Sequence, residues 1–153
     1  MPVNQIDPAA TGYIIAGTGA LPSTLLSLHR VTRNADGTPN FQSPGLAVAV
    51  PGYDVPPNAV QRSGFPNAQK LLDTLDARPT QAVSAINPGR ANRLSLWTQH
   101  TTATSPGGRS EVRWYEIDPV ARTAVQSAKA TSRNYFAFNG AISPDRQRFG
   151  ATV

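Results

Sequence analysis

At 153 residues the chain is about the size of one domain, and Pro 14 with Gly 12 against only 15% charged residues points to loop-rich β structure rather than to helix or disorder. Cys 0 removes disulfides, thiolate chemistry and cysteine-based zinc sites, and no apolar run reaches the length of a membrane span. The net charge of +5 is scattered: of 14 basic residues all but Lys70 and Lys129 are arginine, and the densest group, Arg133, Arg146 and Arg148, is too thin for a nucleic-acid arm or a polybasic membrane patch.

The opening, Met1-Pro-Val-Asn-Gln5, lacks the basic region and apolar core of a signal peptide. The first apolar run, Tyr13-Ile-Ile-Ala16, is fenced by Gly12, Gly17, Gly19 and Pro22 and reads as a strand and its turn. Gly17-Thr-Gly19 is no dinucleotide fingerprint, because the third glycine is missing and Pro22 stands where a helix would begin. Leu26, Leu28 and Val31 space out a second strand, and Asn34-Ala-Asp-Gly37 follows as a hairpin or loop signal, since Gly accepts positive φ and Asp bonds its own backbone. Leu46 to Val50, bounded by Pro44-Gly45 and Pro51-Gly52, predicts a third.

Residues 51–79 differ in kind. Pro51, Pro56, Pro57, Pro66 and Pro79 predict an extended covering loop, because proline fixes φ and withdraws a donor. Within it, Asn67 to Leu75 predicts one or two helical turns with Leu71, Leu72 and Leu75 on one face. Thr80 to Ile86 is the next strand, closed by Asn87-Pro-Gly89.

From Leu94 to Ser143 the sequence predicts a β-meander: Leu94 to His100, Glu111 to Asp118, Thr123 to Gln126, and Tyr135 to Phe138 with Ala141-Ile142 behind it. In the first of these, Leu94, Leu96 and Thr98 point one way and Trp97 the other; in the second, Val112 and Trp114 oppose Tyr115 and Ile117. Both faces carry apolar side chains, so the sheet must be covered on both. A further strand enters Ser143-Pro-Asp145, turns, and leaves as Arg148 to Val153, where its backbone groups need a partner.

Ala141-Ile-Ser-Pro-Asp145 followed by a turn and an apolar strand resembles the turn between inner strands of β-propeller blades, although Arg146 stands where glycine is common. Leu96-Trp97, Val112-Arg-Trp-Tyr-Glu-Ile-Asp-Pro119 and Tyr135-Phe-Ala-Phe-Asn139 are similar to blades of an uncharacterised group of bacterial propeller proteins. The resemblance implies an all-β fold of antiparallel four-stranded meanders: 80–86 innermost, 93–101 next, 112–118 third and 124–128 outer. Residues 135–142 and 148–153 would then open the following blade, and 25–50 finish a preceding one. One complete blade with parts of two others implies an incomplete propeller, a piece of a longer secreted or envelope protein, since closure takes about four blades.

Candidate chemistry is sparse. His29 and His100 lie in separate strands with no carboxylate at ligand spacing and read as polar strand residues, so neither metal nor cofactor is expected. No Gly-x-Ser-x-Gly elbow is present, nor the Ser-x-Asp-x-Gly-x-x-Trp boxes of sialidase-type propellers. Asp73 and Asp76 are the nearest approach to paired glycosidase carboxylates, but beside Arg78 a structural ion pair or cap is the simpler role.

Three functions follow as expectations. The first is a non-enzymatic interaction or structural module of propeller type, with a protein or glycan partner and self-association through open sheet edges; Trp97, His100, Trp114 and Tyr115 are its ligand-facing candidates. The second is part of a propeller glycan hydrolase with Asp76 and Arg78 as catalytic candidates. The third is a basic nucleic-acid binder, which the scattered charge disfavours.

Overall fold

The computed structural model describes residues 1–61, 71–105, 108–145 and 150–152, and the chain is all-β. Among the described residues the strands are β1 (Asn4–Gln5), β2 (Gly12–Gly17), β3 (Ser23–Arg33), β4 (Pro39–Phe41), β5 (Leu46–Tyr53), β6 (Ala59–Val60), β7 (Leu71–Leu72), β8 (Gln81–Asn87), β9 (Arg93–Ala103), β10 (Ser110–Asp118), β11 (Thr123–Ala130), β12 (Ser143–Asp145) and β13 (Gly150–Thr152). A short 3-10 turn, Pro88–Arg90, links β8 to β9; Asn87 accepts from the Gly89 amide at its start.

One large sheet runs β1-β8-β9-β10-β11-β5-β3-β2, with β4 paired to β3. The stretch β8-β9-β10-β11 is the expected four-stranded antiparallel meander, each strand beside its successor. The sheet as a whole is mixed rather than purely antiparallel, because β1 runs parallel to β8 and β11 meets β5 in parallel at Thr123 and Ala49. Residues 1–5 draw the two ends of the sheet together. Asn4 and Gln5 pair with Val83 and Ser84, while just before them Pro2 bridges Ile14, Val3 donates to the Tyr13 carbonyl and Ile15 donates to that of Met1. A ribbon that pairs both ways turns the sheet into a nearly closed barrel, which removes most of its free edge.

The barrel interior is filled from six strands. Ile15, Leu26, Leu28, Val48, Leu96 and Ile117 are wholly buried there, with Tyr13, Val50, Ala82 and Tyr115. Strand alternation then sends the neighbours of Leu96 and Ile117 outward, and Trp97 and Trp114 meet Ala85 and Ile142 in a second, smaller cluster. Nine consecutive residues of β9, Ser95 to Ala103, are therefore buried. The inference that both faces of this ribbon need cover holds, but the cover outside is not another sheet. It is the irregular segment after β11, whose Ala137 amide donates to the Ser110 carbonyl, whose Asn139 amide donates to Thr101, and whose Gly140 carbonyl accepts from Gln99.

Two predicted elements take another form. Tyr135 to Phe138 and Ala141-Ile142 are not strands: they cross the outer face of β9 and β10, where the Tyr135 and Ile142 amides donate to the Ser132 and Gln81 side chains and the Ala137 amide to the Ser110 carbonyl, a bonding pattern no local periodicity encodes. Leu71 to Leu75 is not helical either. Leu71 and Leu72 pair with Val60 and Ala59, and Leu75 has φ 72, outside the helical region. Residues 67–70 of that expected helix lie outside the described residues. In the Pro-rich segment, Pro51 to Tyr53 complete β5, while β6 and β7 form a small hairpin of their own. At the other expected hairpins, Asn34 to Thr38 turns β3 into β4 with Gly37 at φ 86, and β12 pairs with β13.

Candidate functional site

The polar centre of the molecule lies inside one mouth of the barrel. Even-numbered residues of β9 face inward, so above Leu96 come Thr98, His100 and Thr102; opposite them on β10 stand Tyr115, Arg113 and Glu111. His100 is 1% exposed, with Nδ1 at 2.7 Å from the Ala77 carbonyl and Nε2 at 3.0 Å from the Tyr115 hydroxyl. A carbonyl only accepts, so Nδ1 carries the proton and Nε2 accepts from Tyr115. Tyr53 meets the imidazole edge-on, with centroids 4.6 Å apart, and donates its own hydroxyl to the Leu25 carbonyl. Burial drops the His100 pKa to about 4, with the Ala77 bond opposing and the Arg113 charge adding to the fall. Burial likewise raises Tyr115, partly offset by Arg113.

Towards solvent, wholly buried Glu111 is held by Arg113 at 2.8 Å and Lys129 at 3.3 Å. Arg113 also donates to the Pro51 and Gly52 carbonyls. These are β5 acceptors, and β11 has already parted from β5 beyond Thr123. The guanidinium thus fills a wedge that two diverging strands leave open. Outside this group lies a cleft of about 380 Å³ lined by Pro22, Tyr53, Asp54, Thr104 and Arg113 among others. The Asp54 backbone closes its floor, exchanging bonds with the Thr102 hydroxyl at 3.1 and 2.9 Å.

Asp76 and Arg78 form an exposed ion pair at 2.5 Å, as the simpler sequence reading had it, and that pairing holds the Asp76 carboxyl below the usual range. Asp73 accepts from the Leu75 amide and Asp76 from that of Arg78, so both carboxylates cap a turn in which Leu75 and Ala77 sit at positive φ. The turn presses buried Ala77 onto His100 and so plugs the mouth. Asp76 and Arg78 line a separate cleft of about 380 Å³ beside Ile15, Gly17 and Thr80, in which Asp76 is the single carboxylate among the lining residues.

Of the aromatic candidates, His100 and Tyr115 are brought into contact, whereas Trp97 and Trp114 lie on the opposite face of the sheet beneath the covering segment. His29 is elsewhere again, stacked on Phe41 with centroids 5.2 Å apart and bonded to Ser27 and the Gln42 carbonyl. No three His, Asp or Glu side chains converge as metal ligands among the described residues. The residues missed in the sequence are Tyr53, Glu111, Arg113 and Glu116. For Glu111 and Arg113 a signal existed, since they continue the inward period of Tyr115 and Ile117. Glu116 is 2% exposed on the outer face, accepting from Asn87, Ser95 and Gln126 at 2.6, 2.6 and 2.7 Å. Nothing local marks that site, because its three donors come from three other strands.

No protein family, curated protein or solved structure matches this chain.

Proposed function

We propose that this chain is a non-enzymatic interaction module, its β8 to β11 meander resembling a propeller blade built into the barrel sheet, and that it associates with a second copy through β11. The observation that carries the reading is the state of that strand. Its inner edge is paired to β10 except at a bulge at Val125, while beyond Thr123 its outer edge meets no strand among the described residues, leaving 124–130 as a row of unpaired backbone donors and acceptors. Such an edge is self-complementary: two copies pair antiparallel about a two-fold axis. Its one charged residue, Lys129, is drawn inward to Glu111 rather than standing guard. The barrel mouth supports the same conclusion from the other side. Both nitrogens of His100 are hydrogen-bonded, and Glu111 is wholly buried with Oε1 bonded to Arg113 and Oε2 ion-paired with Lys129, an arrangement that favours a structural role for both.

Sedimentation equilibrium tests the association. Val125→Lys and Ala128→Lys add like charges along the edge, and the dimer they disrupt should fall to monomer with an unchanged circular dichroism spectrum; a wild-type chain that is monomeric at 100 times the micromolar working range removes the proposal. The glycan-hydrolase reading keeps one supporting observation, the cleft beside Asp76 and Arg78. Glycan hydrolysis abolished by Asp76→Ala would favour it, and an unaffected rate would dismiss it.

A further inference from the structure

On the rim beside the mouth, a hollow of about 510 Å³ is lined by Thr104, Gly108, Arg109, Thr131, Ser132 and Arg133. Its lining carries two guanidinium groups and three hydroxyls and, among the described residues, no carboxylate. Arg109 is held in place before any ligand arrives. Its guanidinium carbon lies 5.9 Å from the Phe136 ring centre, and one Nη donates to the Arg133 carbonyl, which leaves its remaining N–H groups for another acceptor. That bond also ties the two arginine-bearing segments, 108–109 and 131–133, to each other.

The Ser132 hydroxyl is arranged to donate. Ser132 Oγ already accepts the Asn134 and Tyr135 amides, at 3.1 and 3.2 Å, so its own proton points elsewhere. Thr104 is set against Gly108 so closely that a Cβ there would stand 2.2 Å from its Oγ1. Glycine at 108 therefore keeps the floor of the hollow open to that hydroxyl.

We propose that this hollow binds an acidic saccharide, receiving a sulfate or phosphate ester on Arg109 and Arg133 and the neighbouring sugar hydroxyls on Thr104, Thr131 and Ser132. Guanidinium groups match tetrahedral oxyanions through paired N–H donors, and the hollow exceeds what one bare ion fills. A nucleic-acid strand would need a line of cations along its backbone, and the lining supplies two. The site is distinct from the β11 edge, so either proposal stands or falls without the other.

The test is an amide-resolved NMR titration of the whole chain with glucose 6-sulfate, glucose 6-phosphate, glucose, inorganic sulfate and inorganic phosphate. Both sugar esters should shift the Arg109, Ser132 and Arg133 amides and bind more tightly than glucose or the bare ions; whichever ester binds more tightly identifies the anion. Arg109→Ala and Arg133→Ala should each weaken the ester about tenfold, the lysine variants less, and Val125→Lys at the β11 edge not at all. Absence of shifts, affinity unchanged in the double alanine variant with a native spectrum, bare ions binding as tightly as the esters, or an oligonucleotide displacing them more effectively would each overturn the proposal.

Discussion

Protonating His100 should destabilise this protein, and the size of the effect follows from its surroundings. The imidazole has an ordinary value of 6.5 that burial brings down to about 4. Between those limits the unfolded chain binds a proton that the folded chain refuses, so stability is complete above about pH 6.5 and falls as pH drops towards 4. At pH 4.5 the unfolded chain is favoured by RT ln(101/1.3), about 2.5 kcal/mol, and nearly all of this is lost between pH 7 and 4.5. The measurement is a series of urea titrations across that range, for the wild type and for His100→Gln. With a slope of about 2 kcal/mol/M for a chain of this size, the wild-type midpoint should fall by about 1 M more than that of the variant. Carboxylates such as Asp118 titrate in both proteins and cancel in the difference. Burial alone would raise Asp118, but the Ala121 and Val120 amides and Arg90 outweigh it and hold the carboxyl low. Parallel curves for the two proteins would show that His100 is not buried neutral between Ala77 and Tyr115.

Further outcomes follow from packing and hydrogen bonding. Gly140→Ala places a Cβ 2.6 Å from Val112 Cγ1 and 3.3 Å from Gln99 Oε1; a loss of about 1–3 kcal/mol is expected, with tryptophan emission shifting to the red as the covering segment lifts from Trp97, and an unshifted spectrum at full stability would contradict that placement. Glu116→Ala removes the acceptor of buried Asn87 and Ser95 and of exposed Gln126 and should cost about 3 kcal/mol, read as a lower urea midpoint, while Glu116→Gln keeps an acceptor and should lose less. Tyr53→Phe deletes one hydroxyl bond, to the Leu25 carbonyl, and should cost about 1 kcal/mol with the His100 contact intact; a loss as large as that of Glu116→Ala would mean the hydroxyl holds more than this bond.

Strand identity and facing were legible because they are local. Alternation of period two told which of Leu96 and Trp97, or of Tyr115 and Trp114, share a face, and the turn at Asn34 to Gly37 carried its own chemistry. The ion pair of Asp76 with Arg78 was legible for the same reason, as two residues two positions apart in a turn. What covers each face was not. Residues 1–5 hold two short pairing segments with no periodicity of their own, yet by bonding β2 on one side and β8 on the other they curl the sheet. Tyr135 and Phe136 have the composition of a strand, but the outer cluster of Trp97 and Ile142 needed a lid more than the sheet needed another edge. The choice among partners for a strand is made by which buried surface it completes, and that sum runs over residues far apart in the chain. The sequence by itself therefore determined where strands form and which side chains they show together; only the tertiary structure decided that the ribbon closes on itself, that His100 and Glu111 are sealed within it, and that β11 is left with one side open.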